Sequence, residues 1–420
     1  MSMEQRTSPI SKDGEEVVAQ EFRDRFAIVG VGVSPTTRTG AEGKSAQQLE
    51  AWAVKRAIED CGLRREDIDG AIHAAAQNGS DAYSRKLGLS ANFYYPIGRM
   101  AGAVAGLFFA TQALATGNAN YVAVSLGLTW LTQSREAGVV GTADGGSDNK
   151  WGMHRDGGGL VDAGWVPTPG ASSIHAFLAS RHMHEFGTTH EQLGAVALAH
   201  RAWANLNPEA RYFERTLTMD EYLASPWVCH PYRRHDNCVV SDVGCAFIVT
   251  TAERARDLRQ QPVFVKGVGF GDSARQAWWD RTNFIQTDGA HAKRVAFEQA
   301  GITMDDVDVA ELYDCFTGEM ILTIEDYGFC AKGDGGPFVE SGATAPGGSH
   351  PMNTHGGLLS AFHCGDMGNV IEATRQLRGE CEDRQVDGAE IALVDGHGWE
   401  MILPYMMPVS GAIVLGSHES

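Results

Sequence analysis

Three titratable side chains stand together where a strand-like run ends and a helical pattern begins. The stretch AELYDCFTGEM places Tyr313, Asp314 and Cys315 in consecutive positions. In open α/β sheets, ligands bind beyond the carboxyl ends of the strands, so side chains at such a turn can reach a substrate. A phenol and a thiol there can transfer protons, although tyrosine, with its ordinary pKa of about 10, needs a perturbed environment or a relay to act as a base. Asp314 is predicted to cap the next helix.

A histidine follows a glycine-rich stretch later in the chain. The sequence NTHGGLLSAFHCG contains Asn353, His355, Gly356, Gly357 and His363. Glycines let the backbone approach a ligand closely, so the pair of glycines is predicted to lie against the substrate. We predict that the histidine nearest the end of this stretch is catalytic. The asparagine and the first histidine are predicted to orient it or to stabilise an oxyanion.

Two further histidine-containing stretches are candidate sites. His397, in VDGHGW, either lines the same pocket or packs in a turn. The stretch CHPYRRHDNC, with Cys229, His230, His235 and Cys238, does not have the spacing of a standard zinc finger. Neither GVGVSP nor GVGFGD is a complete dinucleotide fingerprint. We therefore predict no metal site and no cofactor.

Composition and charge narrow the classes of function. The chain has 420 residues, 43% of them hydrophobic, which is enough for two or three domain-sized units. Its net charge of −19 opposes binding to nucleic acid or anionic lipid, and an anionic ligand such as an acyl-CoA needs a local basic patch or a partner. The apolar stretch 101–117 is short for a membrane span and is predicted to be a buried helix. Eight cysteines without regular spacing or a secretory signal indicate a cytoplasmic protein.

The chain contains an internal repeat. RAIEDCGLRREDIDGAIHA and VAFEQAGITMDDVDVAELY align with Gly62 opposite Gly301, 239 residues apart, and with Asp69 opposite Asp308. Each half has the pattern of alternating strands and helices that builds a mostly parallel sheet. We predict an α/β fold with five layers, αβαβα, in which two mixed sheets pack around a shared helical layer that contains 101–117 and 365–378.

The predicted boundaries follow from this repeat. Residues 1–24 form a polar arm, 25–252 the first half and 260–420 the second half. The first half includes an insertion at 128–240, and long insertions of this kind usually cover an active site or form an oligomer contact.

These features together resemble the thiolase superfamily over about residues 25–417. YDCF, GFCAKGDGGPFVESG and NTHGGLLSAFHCG are similar to motifs of the branch that contains sterol-carrier-protein-type thiolases and thiolase-like steroid side-chain aldolases. Where thiolases carry their nucleophilic cysteine, this chain has Met100, and there is no cysteine between Cys61 and Cys229. Methionine cannot form an acyl-enzyme, so covalent thiolase chemistry is not expected. We place Met100 beside the substrate.

The resemblance implies a role for each remaining group. Tyr313 matches a proposed catalytic tyrosine of the aldolases, and His363 matches the histidine that polarises the thioester carbonyl. Cys315 either shuttles a proton or is a small core residue. The expected function is retro-aldol cleavage of a bulky 3-hydroxyacyl-CoA, for instance one of the steroid type, to a ketone or aldehyde and a shorter acyl-CoA.

The resemblance also implies partners and leaves alternatives. Coenzyme A enters as part of the substrate, and a homodimer joined by a small zinc-ribbon/OB-fold protein in a heterotetramer is expected. One alternative is an acyl-CoA C-acyltransferase that uses Cys315 or direct transfer. The other is a non-catalytic acyl-CoA-binding subunit whose partner carries the activity.

Overall fold

The computed structural model describes residues 22–74, 87–97, 101–136, 171–272, 285–287, 289–402 and 405–420. The strands in these ranges are β1 (Phe26–Val33), β2 (Gly70–His73), β3 (Phe93–Pro96), β4 (Tyr121–Thr129), β5 (Trp227–Cys229), β6 (Tyr232–Arg233), β7 (Asp242–Thr251), β8 (Val263–Asp272), β9 (Val309–Glu311), β10 (Ile391–Ile402) and β11 (Tyr405–Gly416).

The α-helices of the same ranges are α1 (Ala46–Cys61), α2 (Gly102–Ala115), α3 (Trp130–Glu136), α4 (Ala171–Phe186), α5 (His190–Ala204), α6 (Met219–Ala224), α7 (Ala252–Ala255), α8 (Gly289–Ala300), α9 (Thr317–Tyr327), α10 (Gly335–Glu340) and α11 (Met367–Arg378). None of these helices combines the length and the apolar character that crossing a membrane requires.

Nine of the described strands pair in the order β3-β2-β4-β7-β1-β8-β11-β10-β9. In the first half, β1 to β4 share one direction and β7 runs against them. In the second half, β8, β9 and β10 share one direction and β11 opposes them. The two halves meet where β1 and β8 pair antiparallel over two residues. The predicted mixed, mostly parallel arrangement of each half is confirmed.

The layers follow from which helices contact which strands. α1 packs on β1, β4 and β7, while α8 packs on β8 and β11. Between the halves, α2 and α11 touch each other and strands of both halves, as the prediction of a shared helical layer requires. Ten of the fourteen residues of α2 are buried, because this helix is apolar on nearly every side.

Both copies of the repeat build the same local structure. Gly62 and Gly301 end their helices in the left-handed conformation, with φ of 77° and 67°. Asp69 accepts hydrogen bonds from the N–H groups that open β4, and Asp308 does the same at the start of β10. The paired aspartates therefore join equivalent neighbouring strands in the two halves.

The described part of the insertion covers the second half. α4 and α5 pack on α9, and α5 also contacts α10 and the π-helix Gly357–Ala361. The ring of Tyr232 stacks on Phe316 at 5.4 Å between centroids. Residues 137–170 of the predicted insertion and residues 1–21 of the predicted polar arm lie outside the described ranges, and the domain boundaries stay predictions.

Candidate active site

Tyr313 lies two residues beyond β9, at the turn that leads into α9. Its side chain is only 4% exposed, and its hydroxyl Oη lies 3.3 Å from Nε2 of His363. Its ring also stacks on the ring of His397, with centroids 5.6 Å apart. The structure therefore brings together two side chains that are 50 positions apart in the sequence, together with a third candidate.

Besides Tyr313, two groups hold His363 in place. Its backbone N–H donates to Ser241 Oγ at 3.0 Å, and its ring lies 4.8 Å from the ring of Trp130 at the start of α3. Burial lowers the pKa of His363 to about 4, so the imidazole is neutral near pH 7. Its Nδ1 has no hydrogen-bond partner within the described residues. The neutral ring can accept the Tyr313 proton at Nε2.

The phenol of Tyr313 is protonated in the resting site. Burial, and after it the nearby thiol of Cys315, raises the pKa of Tyr313 well above its usual value. A phenol with such a pKa keeps its proton until another group takes it. The geometry therefore favours a relay, in which Tyr313 accepts a proton from a substrate while it passes its own to His363.

Glu319 is a member of the site that the sequence prediction missed. Its carboxylate lies 2.6 Å from His397 Nε2 and also pairs with His175 Nδ1. Burial alone would raise the pKa of Glu319, but the two flanking histidines bring it well below its usual range. A partial signal was present, because Glu319 lies in the first turn of the helix that follows the Tyr313–Cys315 turn.

The charge of Glu319 determines the state of His397. Burial would lower the pKa of His397, but the neighbouring carboxylate raises it to about 9. A protonated imidazole therefore stacks on the Tyr313 ring near neutral pH. His175, which comes from α4 and was not among the residues singled out in the sequence, is buried and stacks on Phe316 at 4.4 Å.

Cys315 is close to this cluster but is not activated. Burial, and then the charge of Glu319, raises the pKa of Cys315 well above its usual value. The thiolate is the nucleophile in cysteine chemistry, so the environment of this thiol disfavours covalent catalysis. The ligand atoms of His175, Cys315 and Glu319 lie within 4.8 Å of one another, so these residues are the ones in the described ranges that could hold a metal ion here.

Asn353 positions the backbone next to Tyr313. Its Oδ1 accepts from the Leu312 N–H and its Nδ2 donates to the Leu312 carbonyl oxygen, both at 2.7 Å. His355 pairs through Nδ1 with Glu311 at 3.0 Å. Because both polar atoms of the Asn353 side-chain amide are hydrogen-bonded to the backbone, this residue fits an orienting role better than an oxyanion contact.

Gly356 and Gly357 shape the segment that leads to His363. Both adopt positive φ, 103° and 62°, and a Cβ on Gly357 would lie 2.1 Å from Asp314 Oδ2. Asp314 accepts hydrogen bonds from the N–H groups of Leu358 and Leu359 at 2.9 and 3.1 Å. Asp314 therefore anchors the π-helix and does not cap the helix after it. Substrate contact by the glycines, Asn353 or His355 stays a prediction.

The start of α2 is occupied by a carboxylate of the other half. Asp366 accepts from the N–H groups of Ala103 and Val104, at 2.9 and 3.1 Å. A helix N-terminus stabilises negative charge, which is why it can activate a thiolate. Here its N–H groups already bind a side chain of the protein. Met100 lies outside the described residues.

The duplicated five-layer fold, with a tyrosine–histidine pair between its halves, defines a thiolase-type protein. Residues 272–405 match the family described as thiolase C-terminal domain-like. A steroid side-chain-cleaving aldolase of Thermomonospora curvata is 31% identical, over 94% of this chain and 98% of that protein. A 17-hydroxy-3-oxo-4-pregnene-20-carboxyl-CoA lyase of Mycobacterium tuberculosis is 33% identical, over 88% and 95%.

A solved structure shows the same likeness in three dimensions. An Ltp2-ChsH2(DUF35) aldolase superimposes with a TM-score of 0.79 and 28% identity, over 94% of this chain and 98% of that one. The chain belongs to the steroid side-chain aldolase branch of the thiolase superfamily. The resemblance inferred from the YDCF and NTHGGLLSAFHCG stretches is confirmed.

Proposed function

We propose that this chain is a carbon–carbon lyase that cleaves a bulky, steroid-type 3-hydroxyacyl-CoA by a retro-aldol reaction. Its products are a ketone or aldehyde and a shorter acyl-CoA. The observation that carries the proposal is the 3.3 Å approach of Tyr313 Oη to a neutral His363, in a site without an activated thiol among the described residues. The names of the two relatives, an aldolase and a CoA lyase, support the same class of reaction.

The chemistry needs one proton to change place. The substrate hydroxyl gives its proton to Tyr313 Oη while the phenol proton moves to His363 Nε2. The Cα–Cβ bond breaks, its electron pair becomes a thioester enolate, and the former hydroxyl carbon becomes the carbonyl of the ketone or aldehyde. The imidazolium of His363 stabilises the enolate and then protonates Cα, which restores the starting state. No external acid, base or redox partner is consumed.

The acyltransferase alternative proceeds through an acyl-cysteine or by direct transfer, and the raised pKa of Cys315 opposes the first of these routes. Intact-protein mass spectrometry during turnover separates the two. An acyl adduct on Cys315 that forms and decays at the rate of turnover favours transfer, and its absence during cleavage favours the lyase.

We also propose that the chain works as a homodimer with a small zinc-ribbon/OB-fold partner. The name of the structural neighbour includes a DUF35 component, which supports such a partner. β3 ends the strand order of the sheet, and Tyr95 on it and Phe108 on α2 are 41% and 38% exposed. An unpaired strand edge with exposed aromatic rings supports a contact between two copies.

The experiment is product analysis with the full chain, alone and together with its DUF35-type partner. The thioester named for the Mycobacterium tuberculosis relative is the first substrate to test. We expect a steroid ketone and a shorter acyl-CoA in equal amounts. A free acid with intact carbon skeleton, or no product with the partner present, would contradict the proposal.

A further inference from the structure

A cavity of about 640 Å³ lies beside the site, within the size range of ligand pockets. Its lining is rich in one type of side chain. The arginines that line it are Arg38, Arg56, Arg135, Arg211 and Arg215.

The cavity is strongly positive in a strongly negative protein. Glu209 and Glu214 are the carboxylates of its lining, so five arginines face two glutamates and the net charge is +3, although the whole chain carries −19. Both carboxylates are already paired, Glu214 with Arg38 at 3.0 Å and Glu209 with Arg375, outside the lining, at 2.7 Å. The positive charge of the cavity is therefore not cancelled from within.

Four of the arginines lack a carboxylate partner. Within the described residues, Arg56, Arg135, Arg211 and Arg215 make no ion pair. Burial, and also the charges of Arg135 and Arg215, lowers the pKa of Arg211, which shows that the guanidinium groups repel one another. A bound anion would remove this repulsion.

The cavity is joined to the candidate active site by two direct connections. α3 begins with Trp130, whose ring lies against His363, and carries Arg135 just over one turn further along. The backbone N–H of Arg211 donates to the carbonyl oxygen of Ala361 at 2.8 Å, two residues before His363. These two contacts place the lining of the cavity next to the segments that hold His363.

We infer that this arginine-lined cavity binds the phosphate groups of the coenzyme A portion of the substrate. The inference rests on the proposed function, which supplies an acyl-CoA as the substrate. Arginine is suited to the task because its planar guanidinium donates paired hydrogen bonds to phosphate oxygens. The cavity also supplies the local basic patch that an acidic chain needs in order to hold a polyanionic substrate.

The test is binding of adenosine 3′,5′-bisphosphate, the nucleotide end of coenzyme A, measured by calorimetry on the full chain. The variant R135Q/R215Q removes two unpaired charges, and R294Q removes a charge from the exposed surface of α8 as a control. We expect the double variant to weaken binding at least tenfold, to about the limit of detection, and the control to leave it within twofold. Equal affinity in the wild type and the double variant, or no binding by the wild type, overturns the inference.

A second arm identifies the source of the phosphate. The kcat/KM for an acyl-CoA is compared with that for the same acyl group on pantetheine, which lacks the nucleotide. If the cavity holds coenzyme A, R135Q/R215Q lowers the ratio of kcat/KM for the acyl-CoA to kcat/KM for the acyl-pantetheine about tenfold or more. Tight binding of inorganic pyrophosphate with an unchanged ratio would show a site for free polyphosphate and would refute the assignment to the substrate. Binding of the nucleotide without thioester cleavage would refute the proposed reaction while the phosphate site stands.

Discussion

At the scale of single residues, burial and charge give the two candidate histidines opposite states. Among the described residues no carboxylate pairs with His363, and burial outweighs the charge of the nearby Asp314, so the imidazole stays neutral with a pKa of about 4. His397 faces Glu319, which raises the pKa of His397 to about 9, so this imidazole is protonated at neutral pH. The Tyr313 phenol contacts both, so it lies between a proton acceptor and a fixed positive charge.

The pair of Glu319 and His397 makes stability depend on pH. The folded protein binds the His397 proton more tightly than an unfolded histidine does, so the stabilisation is complete below about pH 6.5 and is lost as the pH rises through about 9. The loss from this group is roughly 3 kcal/mol at most. In Glu319→Gln we expect this part of the pH dependence to disappear, as measured by chemical denaturation at pH 6.5 and 9.

His350 offers a control, because it is an exposed histidine. His350→Gln is expected to keep the wild-type loss of stability between the two pH values. An unchanged loss in Glu319→Gln would show that the His397 proton is not held by that carboxylate.

Several members of the site were predictable and others were not. Tyr313 and His363 were placed together because the stretches that contain them both resemble motifs of one family. His175 and Glu319 were not predicted, because α4 belongs to the insertion and only tertiary packing brings its histidine next to a carboxylate of α9. Asn353 was predicted to orient His363 or to stabilise an oxyanion, but its pairing with the Leu312 backbone depends on a φ of 51° that no sequence pattern indicates.

At the scale of elements, the π-helix Gly357–Ala361 positions His363. Asp314 binds two of its N–H groups and pairs with His200 at 2.9 Å, so one carboxylate joins β9, α5 and the π-helix. The internal repeat in the sequence predicts the order of the strands and α-helices, but it does not predict the π-helix. It forms because two successive glycines accept positive φ against a buried aspartate.

Gly357→Ala tests this arrangement. The new methyl group would meet Asp314 Oδ2 at 2.1 Å in a backbone conformation that favours glycine, so Asp314 must move and release the segment before His363. We expect the free energy of unfolding to fall by about 1–3 kcal/mol more than the backbone conformation alone would cost, as measured by thermal unfolding.

Gly342 is a matched control for that variant. It has a similar φ of 82°, but nothing lies within 4 Å of an added Cβ, so Gly342→Ala is expected to cost only about 1 kcal/mol. Equal losses in the two alanine variants would mean that the contact with Asp314 is unimportant.

At the scale of the whole molecule, two similar halves have diverged in what they offer the shared site. The second half contributes Tyr313, His363, His397 and Glu319. From the first half come Trp130 and most of the arginine-lined cavity. The start of α2, which belongs to the first half, is bound by Asp366 of the second half. In the proposed reaction, the second half therefore supplies proton transfer and the first half supplies substrate binding.

The exposed edge at β3 leads to a prediction about assembly. Phe108→Glu places a charge among the aromatic rings of Tyr95 and Phe109 and is expected to convert the dimer to a monomer at micromolar concentration. Light scattering coupled to gel filtration measures the mass. Phe186→Glu, at an equally exposed ring on α4, is expected to leave the dimer intact. A wild-type chain that is monomeric, or a Phe108→Glu dimer, would contradict this interface.

The most direct test of the account is the cleavage rate of Tyr313→Phe in the complex with the partner, at saturating substrate. The variant removes one hydroxyl and keeps the ring that stacks on His397. We predict a fall in kcat of about 10²- to 10⁴-fold, whereas Tyr121→Phe, which removes a phenol at the start of β4, keeps the wild-type rate. A Tyr313→Phe enzyme with near wild-type kcat would show that the proton leaves the substrate by another route.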